Sequence, residues 1–116
     1  MTIPLKPKVY ITQEVQTANY GPAEGYGEVV FVTASELSHL RNSAHNRKLI
    51  ALIREKLRDF RPHVDFVAPS GTPIITGLVF AVLRERTARY QVLKWNARDQ
   101  MYVPLFIDIE ETEHVQ

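Results

Sequence analysis

Residues 64–86 read VDFVAPSGTPIITGLVFAVLRER, and this stretch sets the architecture that the sequence predicts. Its first five residues form an apolar run typical of a buried strand, and PSGTP at 69–73 marks a tight polar turn. The apolar segment that follows begins with Pro73, which suits the first position of a helix because its missing N–H is not needed there. Since the first amides of a helix have no partner within the helix, we expect this turn to leave N–H groups free to hold an anion such as phosphate.

The segments around this stretch predict further strands and a second helix. Alternating apolar residues predict a first strand over about 8–15, and EVVFVT at 28–33 is typical of a strand covered on both faces. The turn-rich stretch 19–27 is too rich in glycine for a regular element, and Thr33 and Ser35 predict a short helical turn near 36–40. A second helix of about four turns is indicated by an apolar stripe at three- and four-residue spacing, formed by Leu49, Ile50, Ile53, Leu57 and Phe60.

Residues 90–95 and 101–109 predict a closing hairpin, in which Pro104 favours an edge strand because it cannot donate a ladder hydrogen bond. Short connections between alternating strands and helices require a parallel core. We therefore predict a single α/β domain over residues 1–116, a small Rossmann-like sandwich. It has a mostly parallel sheet of four to five strands, an antiparallel C-terminal hairpin and two main helices, and residues 110–116 form a frayed acidic tail.

Charge and composition restrict the classes of function. The chain has no cysteine, so disulfides, thiolate metal sites and cysteine nucleophiles are excluded. The N-terminus does not read as a signal peptide, and the longest apolar run, Ile74–Leu83, is about half a membrane span. These features predict a cytoplasmic protein with no membrane partner. Residues 41–98 carry twelve Lys and Arg against four Asp and Glu, which indicates either a polyanion site or solvated helix faces.

The predicted ligand site lies at the carboxyl ends of the parallel strands, where open α/β sheets bind ligands. The turn contributes Ser70, Gly71, Thr72 and Pro73. The hairpin contributes further candidates, Lys94, Asn96 and Arg98. The cations of Lys94 and Arg98 would hold a phosphate, beside a base stacked on Trp95. Tyr20 and Tyr26 form either a flap over this ligand or a plain surface loop.

Two histidines, His39 and His45, lie in the loop that reaches this edge and are the candidate general bases for an enzyme. The four histidines are not spaced as a metal pair, so we predict no metal ligands. The turn lacks GxxxxGK[ST] and GxGxxG, which argues against nucleoside triphosphate hydrolysis and against a dinucleotide cofactor. Whether the protein turns over its ligand is left open.

The strand, the Ser70–Gly71 and Pro73 signature, the apolar helix and the following strand resemble the small stand-alone CRISPR-associated ring nucleases over residues 66–103. The resemblance implies a CARF-like fold, binding or cleavage of cyclic oligoadenylate, dimers or larger assemblies, and manganese as a cofactor. Arg98 matches a basic residue of that family. Asn96 stands where the family has an acidic residue, and Arg84 and Arg86 stand where it has its catalytic histidine.

Two functions follow as hypotheses. The first is binding of an anionic, nucleotide-like ligand at the Ser70–Pro73 turn, with phosphodiester cleavage as the reaction to test. The second is a non-enzymatic accessory protein of a mobile element or defence system, which assembles through its edge strand or its tyrosine-rich loop. Both hypotheses include a homo-oligomer. Binding to duplex nucleic acid is disfavoured because no recognition-helix motif is present.

Overall fold

The computed structural model describes residues 6–111 and contains one five-stranded sheet and two α-helices. The elements in chain order are β1 (Lys8–Ile11), a 3-10 helix (Gly21–Gly25), β2 (Glu28–Phe31), α1 (Ala44–Leu57), β3 (Phe66–Ala68), α2 (Pro73–Arg84), β4 (Arg89–Asn96) and β5 (Met101–Asp108). The strand order is β2-β1-β3-β4-β5, in which β5 alone runs antiparallel to its neighbour. The predicted α/β fold is therefore confirmed, including the closing hairpin and the edge position of Pro104. The predicted frayed tail falls largely on residues 112–116, which lie outside the described residues.

The two faces of the sheet are covered by different segments. Helices α1 and α2 pack on one face and form the larger core with inward side chains of the strands, such as Tyr10 and Val67. The segment between β1 and β2 covers the other face and buries Ala23 completely. In the strand order of the sheet, β2 lies on one side of β1, and the later strands β3 and β4 are added on the other side. Right-handed connections must then lie on opposite faces, as observed.

The tyrosine-rich segment is a structural cover and not a plain loop. The expectation that residues 19–27 hold no regular element is wrong, because a 3-10 helix forms there with i to i+3 bonds such as Ala23 N to Tyr20 O. Pro22 favours this helix because its fixed φ suits a first helical turn. Tyr20 and Tyr26 pack their rings edge-to-face on strand phenylalanines, at centroid distances of 5.1 Å and 5.6 Å.

Two predicted boundaries differ from the structure. Strand β1 ends at Ile11 and not near residue 15, because the side chains of Thr12 and Gln13 form hydrogen bonds with the PSGTP turn. The predicted helical turn near 36–40 does not form. Ser43 instead caps α1, with its Oγ accepting from Asn46 N at 3.3 Å.

The opposite end of the sheet is closed by a buried carboxylate, Asp65, whose side chain is fully enclosed. Its Oδ1 accepts from Lys8 N at 2.9 Å and from Arg61 Nη2 at 2.8 Å. Its Oδ2 accepts from Arg61 N at 2.8 Å and from Arg61 Nε at 3.2 Å. These four hydrogen bonds join the start of β1 to the segment that leads into β3.

Gly77 has no packing role, so replacing it with alanine is expected to stabilise the protein. A Cβ atom at Gly77 would meet no atom within 4 Å, and its helical backbone suits any residue. Because alanine has the higher helix propensity, we expect Gly77→Ala to raise the free energy of unfolding by about 1 kcal/mol. Urea denaturation measures this change. The reverse substitution, Ala81→Gly at an exposed position of the same helix, should lower the free energy of unfolding by a similar amount. A destabilised Gly77→Ala protein would contradict the prediction.

No helix within residues 6–111 is long and apolar enough to cross a bilayer.

Candidate functional site

The PSGTP turn lies at the carboxyl end of β3, directly beside the carboxyl end of β1. From these neighbouring strands the chain departs toward opposite faces of the sheet, because the segment after β1 covers one face and α2 covers the other. This is the topological switch point, at which doubly wound sheets form a crevice for ligands. The turn therefore lies where the strand order places a candidate site.

Two side chains that follow β1 enter the crevice at this switch point and bond to the turn. The hydroxyl of Thr12 accepts from Ser70 N at 2.8 Å and donates to Ser70 O at 2.6 Å. Gln13 Oε1 accepts from Thr72 N at 2.8 Å. The expectation of unpaired amides at the turn is thus wrong for Ser70 and Thr72, because the protein's own side chains accept from them.

Gly71 is required by the close approach of Gln13. Its φ of +88° lies in the left-handed region, and a Cβ atom there would lie 1.9 Å from Gln13 Oε1 and 2.6 Å from Gln13 Cβ. A positive φ and a close approach are the two conditions that favour glycine, and both are present at Gly71. The group that approaches is a side chain of the protein.

A carboxylate already lies at the start of α2. Glu36 accepts from Gln13 Nε2 at 2.8 Å and lies 3.4 Å from the Thr72 hydroxyl. A negative charge near the N-terminus of a helix is stabilised by the helix dipole. An anionic ligand at the Ser70–Pro73 turn would have to compete with Glu36, and its binding there stays a prediction.

Of the residues predicted to close over the ligand, Tyr20 reaches the turn and Tyr26 does not. The Tyr20 hydroxyl lies 2.8 Å from Ser70 Oγ and also accepts from Val15 N at 2.8 Å. The Tyr26 hydroxyl donates to Tyr102 O on β5 at 3.1 Å and makes no bond to the turn. The two tyrosines therefore hold the cover of the second face in place.

The hairpin residues predicted to bind phosphate lie apart from the turn. The amide oxygen of Asn96 accepts from Arg98 N at 3.1 Å and from Asp99 N at 3.3 Å, and so closes the hairpin. Lys94 and Arg98 are exposed, and neither lines a cavity that includes a residue of the turn.

The candidate general bases are both exposed. A ring nitrogen of His45 lies 2.7 Å from Glu36 O, in the first turn of α1. Neither His45 nor His39 lines the cavity beside Ser70. Within residues 6–111, no three or more acidic or histidine side chains come together as a metal site would require.

A cavity beside Ser70, which we call the strand-end cavity, has a volume of 420 Å³ and lies between the tyrosine-rich segment and the β4–β5 hairpin. It is lined by Ala18, Asn19, Tyr20, Pro22, Pro69, Ser70, Trp95, Gln100 and Tyr102. Its volume falls in the range of small-molecule sites. Of the predicted ligand residues, the structure brings Ser70 and Tyr20 together there.

The free edge of β5 is a second candidate surface. The N–H of Ile109 donates to Ala88 O at 2.9 Å. Because bonded and non-bonded positions alternate along an antiparallel pair, odd-numbered residues of β5 direct their N–H and C=O groups to β4, and residues 102, 104, 106 and 108 direct theirs outward. Pro104 is therefore at an outward position, where its missing N–H removes no hydrogen bond within the sheet.

Strand β5 is apolar on both faces and yet exposed. Its exposed apolar side chains, with Ile109 directly after it, are Met101 at 51%, Val103 at 38%, Leu105 at 41%, Phe106 at 65% and Ile109 at 52%. A nearly continuous apolar run is typical of a strand covered on both sides. The structure thus leaves uncovered a strand whose composition is that of a buried one.

The basic middle of the sequence is partly neutralised within the chain. Arg84 pairs with Glu110 at 3.1 Å and Arg89 with Asp108 at 2.9 Å, so carboxylates from the acidic end of the chain contact two of its cations. Arg54 pairs with Glu85 at 2.9 Å and joins the two helices. These contacts favour solvated helix faces over a polyanion site.

The strand order and the site define the class: an α/β protein with a sheet of order 2-1-3-4-5, a cavity at its strand ends and an uncovered apolar edge. Residues 7–109 match the family model described as phage Pam3 gp32-like protein, and the chain belongs to this family. No match was found among proteins of curated function or among solved structures. The resemblance to ring nucleases, with its cyclic oligoadenylate and manganese, stays a prediction.

Sequence reasoning missed the residues that lie at the switch point, Thr12, Gln13 and Glu36. A signal was present, because polar residues directly follow the apolar β1 at its carboxyl end. The apolar alternation continues to Val15 and therefore assigned Thr12 and Gln13 to the strand. The apolar composition of β5 was also visible in MYVPLFIDI, residues 101–109, but only the structure shows that Met101, Val103, Leu105, Phe106 and Ile109 stay exposed.

Proposed function

We propose that this protein is a non-enzymatic assembly protein of a bacteriophage, which joins copies of itself by pairing the free edges of β5. The observation that carries the proposal is an eight-residue edge strand that is apolar on both faces and exposed at Met101 and over residues 103–106. Such an edge offers unpaired backbone groups and uncovered apolar side chains, and a further strand satisfies both at once. The membership of a phage family supports a phage setting for this assembly.

A second copy is a suitable occupant because β5 complements itself in charge. Asp108 is the single charged residue of the strand, and it is paired with Arg89. Two copies placed edge to edge therefore bring no uncompensated like charges together. A two-fold axis then produces an antiparallel pair of strands and a continuous ten-stranded sheet, since each copy contributes five.

The outward groups of β5 favour one register. Pro104 has no N–H, and the carbonyl of Tyr102 already accepts from Tyr26, so the first half of the strand has fewer groups to offer. A two-fold axis at Phe106 avoids placing two prolines opposite each other and lets both Phe106 residues exchange N–H and C=O bonds. On the other face this register pairs Leu105 with Ile107 of the second copy, and both are apolar.

Replacing Phe106 with lysine is expected to abolish the assembly. The substitution places a charge at the two-fold axis, next to the same charge of the second copy, and removes the most exposed aromatic side chain of β5. Size-exclusion chromatography with light scattering should give a dimer or larger assembly for the unmodified protein and a monomer for Phe106→Lys. The matched control is Leu52→Lys, which changes a similarly exposed apolar residue on α1.

A covalent trap tests the register. The chain has no cysteine, so Phe106→Cys introduces a single thiol. Directly opposite residues in an antiparallel pair have Cα atoms about 5.5 Å apart, which permits a disulfide. We expect a covalent dimer of Phe106→Cys on mild oxidation and none for Leu52→Cys. A monomeric unmodified protein at high micromolar concentration, or equal cross-linking of both variants, would contradict the proposal.

A further inference from the structure

We propose that the strand-end cavity binds an uncharged sugar ring, such as one unit of a glycan. The inference rests on the lining of the cavity and does not depend on the assembly through β5. The cavity has the size of a small-molecule site and lies at the carboxyl ends of β3 and β4, beside the switch point. Its lining combines aromatic rings with amide and hydroxyl groups.

The charge of the lining selects a neutral ligand. Within the described residues, the cavity is lined by no Lys, Arg, His, Asp or Glu side chain. The two hydroxyls of tyrosine are its most acidic groups, and burial raises the pKa of the Tyr102 phenol further. A phosphate or carboxylate would therefore leave water for a site with no cation to compensate it, whereas a neutral ligand loses only hydrogen bonds that the lining can replace.

The aromatic rings of the lining form a corner and not a slot. Trp95 and Tyr102 lie with their ring centroids 4.9 Å apart and their planes at 63°. A flat base is held best between parallel walls or on an open stacking surface. A sugar ring presents C–H groups on one face and hydroxyls at its rim, so it suits a corner in which the negative face of an aromatic ring meets the C–H groups.

The polar groups of the lining both donate and accept, as neighbouring hydroxyls of a sugar require. Asn19 uses its amide oxygen to accept from Gly21 N at 2.9 Å, which keeps its NH₂ group as a donor. Gln100 donates its amide to Ala97 O at 2.6 Å, which keeps its oxygen as an acceptor. Ser70 adds a hydroxyl, whereas the Tyr20 hydroxyl 2.8 Å away is already bonded to Val15 N and Gln13 O. The polar groups of Asn19, Gln100 and Ser70 line the same cavity as the two rings.

The single tryptophan of the chain, Trp95, reports directly on this cavity. We would titrate the full chain with methyl β-D-glucopyranoside, methyl β-D-galactopyranoside and N-acetyl-D-glucosamine, each to high millimolar concentration. The readouts are tryptophan fluorescence and the indole N–H signal in an NMR spectrum. We expect a saturable change with at least one sugar. Asn19→Ala should weaken that binding about tenfold, the effect of losing roughly one hydrogen bond.

Controls and further ligands make the result decisive. Gln16→Ala changes an exposed glutamine of the same segment outside the lining and should bind as the unmodified protein does. No response to any of the three sugars in either readout would overturn the proposal. A response to adenosine but not to the sugars would assign the cavity to a base. A response only to AMP or a cyclic oligoadenylate would overturn the neutral site in favour of an anionic one. Light scattering of Asn19→Ala should be unchanged, which separates this result from that of the β5 edge.

Discussion

Replacing Asp65 with alanine is expected to lower the free energy of unfolding by about 2–4 kcal/mol, because buried N–H groups lose their acceptor. The carboxylate is fully enclosed and accepts four hydrogen bonds, one from Lys8 N and three from Arg61. Alanine would leave the main-chain amides of Lys8 and Arg61 without their acceptor, whereas the partly exposed guanidinium of Arg61 keeps its bond to Lys6 O and contacts water. The loss is large against the 5–15 kcal/mol that holds a typical domain folded.

Chemical denaturation followed by circular dichroism measures this loss, and two variants locate its origin. Asp65→Asn keeps the shape and one acceptor oxygen, so it should lose less stability than Asp65→Ala. Asp59→Ala removes an exposed carboxylate six residues earlier and should change the free energy of unfolding by no more than about 0.5 kcal/mol. If Asp59→Ala and Asp65→Ala proved equally harmful, the buried network would not be the cause.

Replacing Gly71 with alanine is the second change for which we expect a large loss, about 2–4 kcal/mol. Part of the loss is backbone strain, because an L-residue at a φ of +88° is unfavourable. The remainder arises because the new Cβ atom would displace the side chain of Gln13. That displacement breaks its bonds to Thr72 N and to Glu36.

A double-mutant cycle separates these two causes. In a Gln13→Ala background, Gly71→Ala no longer meets the glutamine side chain, so only the strain of about 1–2 kcal/mol should remain. Gly25→Ala is the matched control, because a Cβ atom at Gly25 meets nothing within 4 Å and its φ is not positive. Equal losses for Gly71→Ala in both backgrounds would show that Gln13 does not enter the crevice as described.

This result bears on how a ligand at the switch point is tested. A bulky residue at Gly71 would disturb the fold through Gln13, so lost binding in such a variant would say nothing about contact with a ligand. Asn19 and Gln100 are better probes, because their side chains line the strand-end cavity without forming the crevice between β1 and β3. The edge of β5 can likewise be changed at Phe106 without touching either region.

The sequence by itself determined the order and type of the main elements. Alternation and apolar runs identified the strands, and helical spacing identified α1. Proline fixed two further points, the start of α2 at Pro73 and the edge position of β5 through Pro104. These features are local, because backbone geometry and the missing N–H of proline act on neighbouring residues. The sequence also showed the basic middle and the acidic end of the chain, but not the ion pairs that join them.

Only the tertiary structure decided what lies at the carboxyl ends of the strands. Residues far apart in the chain, such as Gln13 and Thr72, meet there, and no local pattern shows that a side chain accepts from the amide of another loop. For β5 the sequence indicates an edge through Pro104, but only the structure shows that most of its apolar side chains are left exposed there. Side-chain contacts of this kind depend on how the strands are ordered in the sheet, and the order follows from the packing of the whole chain.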